Sequence, residues 1–482
     1  MKYLTTKLLA AALLLSMMTA CGTDTGSGVQ TDAVSGTVSE TAATSVDDGA
    51  PVFPDISYGG EEIHFLTEEC TFGDMYTSIE IYSAGEDGSL INDTVYRRNA
   101  LIEDRFDVRI TEERLQNASQ TAYNTVIAGE DVYDVMLPYL NASVNNAIAG
   151  LYRNLYDVEN LHLENSWWDQ RANENLQVGG KLYFSTGDIS ILDNECTMVL
   201  FFNKQMIAEN DLADPYQLVK DGKWTVDELF AMCTGVSNDL NGDGVLKIEE
   251  DRFGLFCAHN LPHSLYFATG ERIVTTDKNG ELQLVMHNER SVEAVNKILE
   301  LCLGREHMKG GFDESVKAFM EGRLMFAGWA LTDINSIRDC QYDFGILPYP
   351  KYDEAQTEYY SLISTGLTPG VSIPVTNNAP EKAGLILEAM AYHSVDTLTH
   401  AYYETALNDR YIRDEDSGEM LDIIFASRVY DFGYIYDVGG LGLLIQQMFQ
   451  SNQQNFASRY EKYESKALAE LADLAAAFAD AE

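Results

Sequence analysis

FMEGRLMFAGWALTDINSIRDCQYDFGILPYP, Phe319 to Pro350, is the stretch whose reading decides the fold. Phe312, Val316, Phe319 and Met320 recur at helical spacing and predict an amphipathic helix that Gly322 stops. Leu324 to Ala327 is too short for a helix and fits a strand. Gly328 and Trp329 then predict a turn into a short helix over Ala330 to Ile337, and Tyr342 to Leu347 a further strand ended by Pro348 and Pro350. Helix, strand, helix, strand is the grammar of an α/β domain.

Ligands of such domains collect outside the carboxyl ends of the strands, where Trp329 is expected. Two readings of that tryptophan stand: a core aromatic, or a face against which a sugar or another flat, half-apolar ligand stacks.

F-x-x-G-R-L-M-F-A-G-W, followed by Y-D-F-G-I-L-P-Y-P, resembles the second-lobe aromatic motif and hinge approach of family 1 extracellular solute-binding proteins, the maltose-binding type of bacterial ABC importers. The resemblance implies a periplasmic-binding-protein-like type II α/β fold, two α/β lobes joined by a multi-crossing hinge. It implies lobe 1 over 56–190 plus 345–400 and lobe 2 over 195–343 plus 401–482. In that family the tryptophan of the motif lines the sugar cleft.

Working outward, the strands expected in the first lobe are Ile63 to Thr67, Val108 to Thr111 and Val135 to Leu137, with a helix over Val95 to Phe106 and another near Tyr123. Strand alternating with helix implies a mainly parallel sheet. Glu69 stands where the chain leaves the first strand. Trp167 and Trp168 are about 100 degrees apart if helical, so one packs inside while the other approaches the cleft, or both are core. Lys181 to Ser185 is expected as a strand, with Asp188, Asn194 and Glu195 near the first crossing between lobes. Trp329, Trp168, Asp188 and Glu69 are therefore the candidate ligand residues.

Beyond the crossing, Met198 to Phe202 is a strand, Thr225 and Glu228 frame a helix start, and Arg252 to Cys257 is another strand. DLNGDGVLKIEE, Asp239 to Glu250, carries the pattern of a calcium loop. Asp239, Asn241 and Asp243 stand at positions 1, 3 and 5, Gly244 at 6, Val245 offers its carbonyl at 7, and Glu250 closes at 12. Calcium takes six or more hard oxygen donors, and alternate short side chains aim them inward. Lys247 at position 9 is no ligand, and Asp251 is an alternative to Glu250. The expected role of Ca2+ is structural. Later, Tyr359 to Ser364 and Val371 to Val375 are strands, Pro380 opens a helix, and an aromatic, glycine-rich loop over Tyr430 to Gly442 is placed where it could approach the cleft. An Ala-rich helix ends the chain.

The formal charge of -44 disfavours nucleic acid and polyanionic partners and agrees with a neutral ligand. Lys2 and Lys7 before the apolar run Leu8 to Met18 suit an export signal over 1–20, too short to span a bilayer. Thr19, Ala20, Cys21 and Gly22 resemble a lipobox, which implies that Cys21 is lipidated, with palmitate among its acyl chains, and holds the protein extracytoplasmic on the outer face of the cell membrane. Residues 21–55 are Ser, Thr, Asp, Ala and Gly and are expected as a disordered tether. Six further cysteines, at 70, 196, 233, 257, 302 and 340, form no C-x-x-C and leave pairing open.

The function these observations imply is the substrate-binding lipoprotein of an ABC importer, not an enzyme, capturing a sugar, oligosaccharide or other small polar solute for the permease transmembrane subunits. A secreted glycan-processing enzyme and a ligand-capturing subunit of a membrane sensor are the alternatives. A retaining glycosidase needs only two suitably spaced carboxylates, whereas G-x-S-x-G, H-E-x-x-H, P-loop and dinucleotide fingerprints are lacking.

Overall fold

The strand β1 (Glu61–Glu68) pairs in parallel with β2 (Val108–Leu115) on one side and β3 (Val135–Leu137) on the other, giving the order β2-β1-β3. These pairings are seen in a computed structural model, which describes residues 51–480 apart from 72, 279, 305, 306, 308 and 406–414. The expected export signal, Cys21 and the expected tether as far as residue 50 lie outside the described residues. Ile63, Phe65, Leu66, Ile110 and Val135 are buried because helices cover this sheet, as expected for parallel strands. The helix Leu90–Phe106 begins earlier than expected and packs beside Pro380–Ser394. The last residues assigned to the tether are not free: Phe53 packs edge-on against Phe106 and Tyr392, both at 5.9 Å, because an aromatic ring among polar residues finds the nearest apolar surface.

The second sheet is mixed. Its strands are β4 (Met198–Asn203) and β5 (Phe253–Phe256), then, after a hairpin of β6 (Val274–Thr276) and β7 (Leu282–Leu284), β8 (Leu324–Ala330) and β9 (Phe344–Leu347). The order is β5-β8-β4-β9, with β8 and β9 antiparallel to β4 and β5 parallel to β8. β8 and β9 come from the stretch quoted first, and the helix before them, Phe312–Met320, ends at Gly322 with φ +72°. The expected turn at Gly328 and Trp329 is instead strand, with Trp329 paired to Val199. Glycine stands at 328 because a Cβ there would run into the Tyr349 hydroxyl and Leu261. The expected lobe boundary at 345 falls inside β9.

Three segments run side by side between the sheets. Thr197 bridges Ile363, Ser364 N donates to Cys196 O at 2.9 Å, and β10 (Ser361–Leu362) pairs in parallel with β11 (Arg428–Val429). This is the multi-crossing hinge. Lys181 to Ser185 and Val371 to Val375 make isolated bridges, such as Ser185 to Val371 and Met136 to Ser372, in place of the expected strands. Two strands extended by only one bonded residue each leave no ladder.

The Tyr430 to Gly442 stretch folds into short helical turns whose aromatics are buried, apart from the half-buried Tyr434: Phe184 stacks on Tyr436 at 6.2 Å and His263 meets Tyr434 at 4.5 Å. The final helix, Phe456–Asp480, closes over this cluster through Phe478, 5.0 Å from Tyr183. Among the described residues no helix is long and apolar enough to cross a membrane. The six cysteines from Cys70 onward are buried.

Candidate ligand cleft

A cavity of about 300 Å³ opens where β8 ends, walled from both sheets and from the hinge. Trp329 and Asp333 come from the end of β8 and the turn after it, His259 and Asn260 from the exit of β5, Tyr76 from the loop after β1, and Ser364 and Leu367 from the hinge.

Trp329 is 3% exposed and stands in an aromatic box: Phe319 at 5.5 Å, Phe201 at 5.7 Å, Phe312 at 5.8 Å and Phe256 at 6.5 Å. Its ring is thus packed by protein, and what it leaves over is a hydrogen-bond donor: Nε1 is buried and has no partner. A buried donor left unmade costs about 1–3 kcal/mol, so such a group in a cavity wall is a place where a ligand oxygen is favoured. In the same wall, Asn260 Oδ1 is a buried acceptor likewise without a partner.

Asp333 is fixed by two donors. Ala330 N lies 3.0 Å from Oδ2, capping the turn Leu331–Ser336, and the Tyr76 hydroxyl donates to Oδ1. Burial pushes its carboxyl up to about 6 against the pull of those bonds. Burial and then the Asp333 charge push the Tyr76 phenol upward, which keeps it a donor. Next along the turn, the Thr332 hydroxyl donates to Glu195 at 3.2 Å.

The other candidates read from the sequence go elsewhere. Trp168 is 2% exposed, and its Nε1 donates to Glu388 Oε2 at 2.9 Å while Trp167 Nε1 donates to Oε1 at 3.1 Å. Both tryptophans are core. Asp188 accepts from Thr399 Oγ1 at 2.9 Å, and burial pushes its carboxyl up to about 6; it stands beside the hinge and outside the cavity wall. Glu69 is exposed, while its neighbour Glu68 is the buried carboxylate, raised by burial. Asn194 accepts from Arg428 at the hinge. Tyr76, His259, Asn260, Asp333 and Ser364 are polar cavity residues absent from the candidates the sequence offered. Only Asp333 had a local sign, its place three residues into a turn that needs a cap.

The loop Asp239 to Glu250 is wound by its own side chains. Asp239 accepts from Gly242 N at 2.6 Å and Gly244 N at 2.7 Å, Asn241 from Asp243 N at 2.8 Å, and Asp243 from Val245 N at 2.8 Å. Gly242 and Gly244 take φ of +76° and +81°, which glycine alone adopts without strain. The Lys247 ammonium lies 2.5 Å from Asp243 and 3.7 Å from Glu250, and Asn241 donates to Glu250. Asp251 is buried with both oxygens on backbone N–H groups, of Leu240 and Lys247, so it is not a free ligand. The remaining donors are hard oxygens gathered about one positive charge, which fits calcium in kind. Among the described residues no three His, Cys, Asp or Glu side chains converge as a ready metal site.

No family sequence model and no curated protein matches the chain. Solved structures do. A cyclo/maltodextrin-binding protein complexed with maltotetraose aligns with TM-score 0.56 at 15% identity, covering 88% of this chain and 98% of its own. The chain has the fold of the periplasmic-binding-protein-like solute-binding proteins. The maltose/maltodextrin-binding domain MalE from Bdellovibrio bacteriovorus, bound to maltotriose, aligns with TM-score 0.53 at 15% identity over 85% of this chain and 100% of that one. An ABC transporter solute-binding protein from Thermotoga lettingae, bound with alpha-D-tagatose, gives 0.51 at 13% identity over 86% and 100%. In this solute-binding fold two lobes flank a hinge, and here the cavity lies against the hinge with walls from both lobes.

Proposed function

We propose that this chain is the ligand-capturing receptor of an ABC importer, binding a carbohydrate between its two lobes without chemical change and passing it to the permease transmembrane subunits. The observation that carries the reading is the Trp329 indole N–H, buried and unpaired in a cavity that both lobes and the hinge enclose. Ligand hydroxyl groups can both accept, as from that donor, and donate, as to the unpaired Asn260 Oδ1 in the same wall. Hinge bending at the three crossings would open and close the lobes around it. The ligands of the neighbours run from a monosaccharide to a tetrasaccharide, which supports a sugar and leaves its length to this chain's own cavity.

The anchoring we propose is through Cys21, lipidated after removal of 1–20, with the residues that follow as the tether to the outer face of the membrane. We further propose that Asp239, Asn241, Asp243, the Val245 carbonyl and Glu250 hold a structural Ca2+, which would displace the Lys247 ammonium and stiffen the loop without touching the ligand.

The test is a thermal-shift screen of residues 21–482 against mono- and oligosaccharides, followed by calorimetry on each hit and on Trp329→Phe. A saturable hit weakened in the variant supports the receptor, because binding to the native state raises stability by mass action. Release of new reducing ends from an oligosaccharide would instead make the protein an enzyme.

A further inference from the structure

The cavity wall carries more information than the presence of a sugar site, and this inference rests on the carbohydrate reading above. Among the described residues no lysine or arginine lines it; the charged wall residue is Asp333, and the sole side chain there able to become cationic is His259, which is exposed. A ligand carboxylate or phosphate would lose its water and gain no fixed positive partner, while meeting Asp333. The unpaired pair of groups, a donor on Trp329 and an acceptor on Asn260, asks for a hydroxyl in place of an ammonium, which can answer only the acceptor.

Size follows from the same wall. About 300 Å³ is the bottom of the usual range for small-molecule pockets, roughly 300–1,000 Å³. Its rim is bonded shut at one place: Tyr76 reaches from the first lobe to Asp333 in the second. The backbone of Tyr76 is held on the first lobe, where its carbonyl accepts from the Tyr139 hydroxyl at 3.2 Å, and the Thr332 hydroxyl lies 3.5 Å from the carbonyl of Met75. A longer chain leaving the cavity on this side has to part that bond.

We infer that the cavity takes a short, uncharged, hydroxylated ligand of one or two sugar rings, that the hydrogen bond between Tyr76 and Asp333 is the cap that excludes longer chains, and that the wall without lysine or arginine excludes acidic sugars.

The test is calorimetry of residues 21–482 with calcium fixed, using neutral monosaccharides, then malto-, cello- and xylo-oligosaccharides from two to six rings, then glucuronate and galacturonate. The expected result is binding of a neutral mono- or disaccharide, weakened at least about tenfold on extension to the tetrasaccharide of its series or on replacement by the uronate. In Tyr76→Phe, and in Asp333→Asn should the first variant fold poorly, the ratio of tetrasaccharide Kd to short-sugar Kd falls, whatever the variant does to each affinity alone. Tetrasaccharide binding as tight as that of the short sugar, or a uronate as tight as the neutral sugar, overturns the inference and leaves the carbohydrate receptor standing. A length penalty unchanged in both variants removes the cap. Silence toward every sugar overturns the receptor reading and this inference with it.

Discussion

The Tyr76 hydroxyl donates to the carboxylate of Asp333 across the cleft, so residues far apart in the chain close one rim of the cavity. The bond has a pH signature. Asp333 is raised from an ordinary value of 3.8 to about 6 by burial, so between those values the folded state holds a proton that the unfolded chain has released. That contribution to stability is complete below about pH 4 and is lost as pH rises through about 6. The shift corresponds to about 3 kcal/mol at most. Asp333→Asn should therefore flatten the fall in Tm between pH 4 and 7, read by calorimetry on native and variant protein; parallel curves would show that Asp333 does not titrate in this window.

Trp168 and Trp329 should answer substitution in opposite ways. Trp168→Phe takes one of four donors from buried Glu388, the others being His162 N, Asn165 Nδ2 and Trp167 Nε1. Stability should fall by about 1–3 kcal/mol with sugar affinity unchanged. Trp329→Phe breaks no hydrogen bond in the unliganded protein, yet removes a donor to the ligand and should weaken binding by several-fold to about tenfold. Denaturant melts and calorimetry on both variants separate the two; equal losses of affinity would place Trp168 at the ligand after all.

Why the sequence distinguished so little between those tryptophans is a matter of range. The helix Phe312–Met320, its stop at Gly322 and the strands that follow are settled by apolar spacing and one glycine within a few residues, and they were legible. Strands β1, β2 and β3 were legible for the same reason. Trp168, by contrast, is core because of a carboxylate 220 positions away, and Tyr76 faces the cleft because of one 257 positions away. Neither partner leaves a local pattern. Gly328 misled in a different manner: glycine marks a turn or a close approach with equal ease, and only the packed Tyr349 decides for the second.

At the hinge, Arg428 on β11 binds Asp169 at 2.7 Å and Asp193 at 3.0 Å, tying the third crossing to the first lobe and to the first crossing. The guanidinium holds those buried carboxylates against their desolvation, while burial still pushes Asp193 up. Arg428→Met removes that cation and leaves Asp169 and Asp193 beside each other without it. A loss of about 3–5 kcal/mol is expected, as for other broken buried pairs. Urea denaturation measures it, and Asp193→Asn placed on top of Arg428→Met should restore part of the loss. A change below 1 kcal/mol would mean that water, not Arg428, satisfies the cluster.

The calcium proposed for the loop Asp239 to Glu250 would compete with another cation for one place. Lys247 lies 2.5 Å from Asp243 and 3.7 Å from Glu250, so a calcium ion held by those carboxylates must first displace an ammonium. Stripped protein titrated with calcium should gain about 2.7 kcal/mol at a hundredfold excess over Kd, a rise of a few degrees in Tm. Asp239→Ala should abolish the rise. Lys247→Gln should lower the Kd, because the ion no longer competes with a tethered charge, while the Tm without calcium falls slightly or not at all, since exposed ion pairs contribute little. If calcium leaves the Tm of native protein and of Lys247→Gln unmoved, the loop is held by its Asx turns and by Lys247 alone.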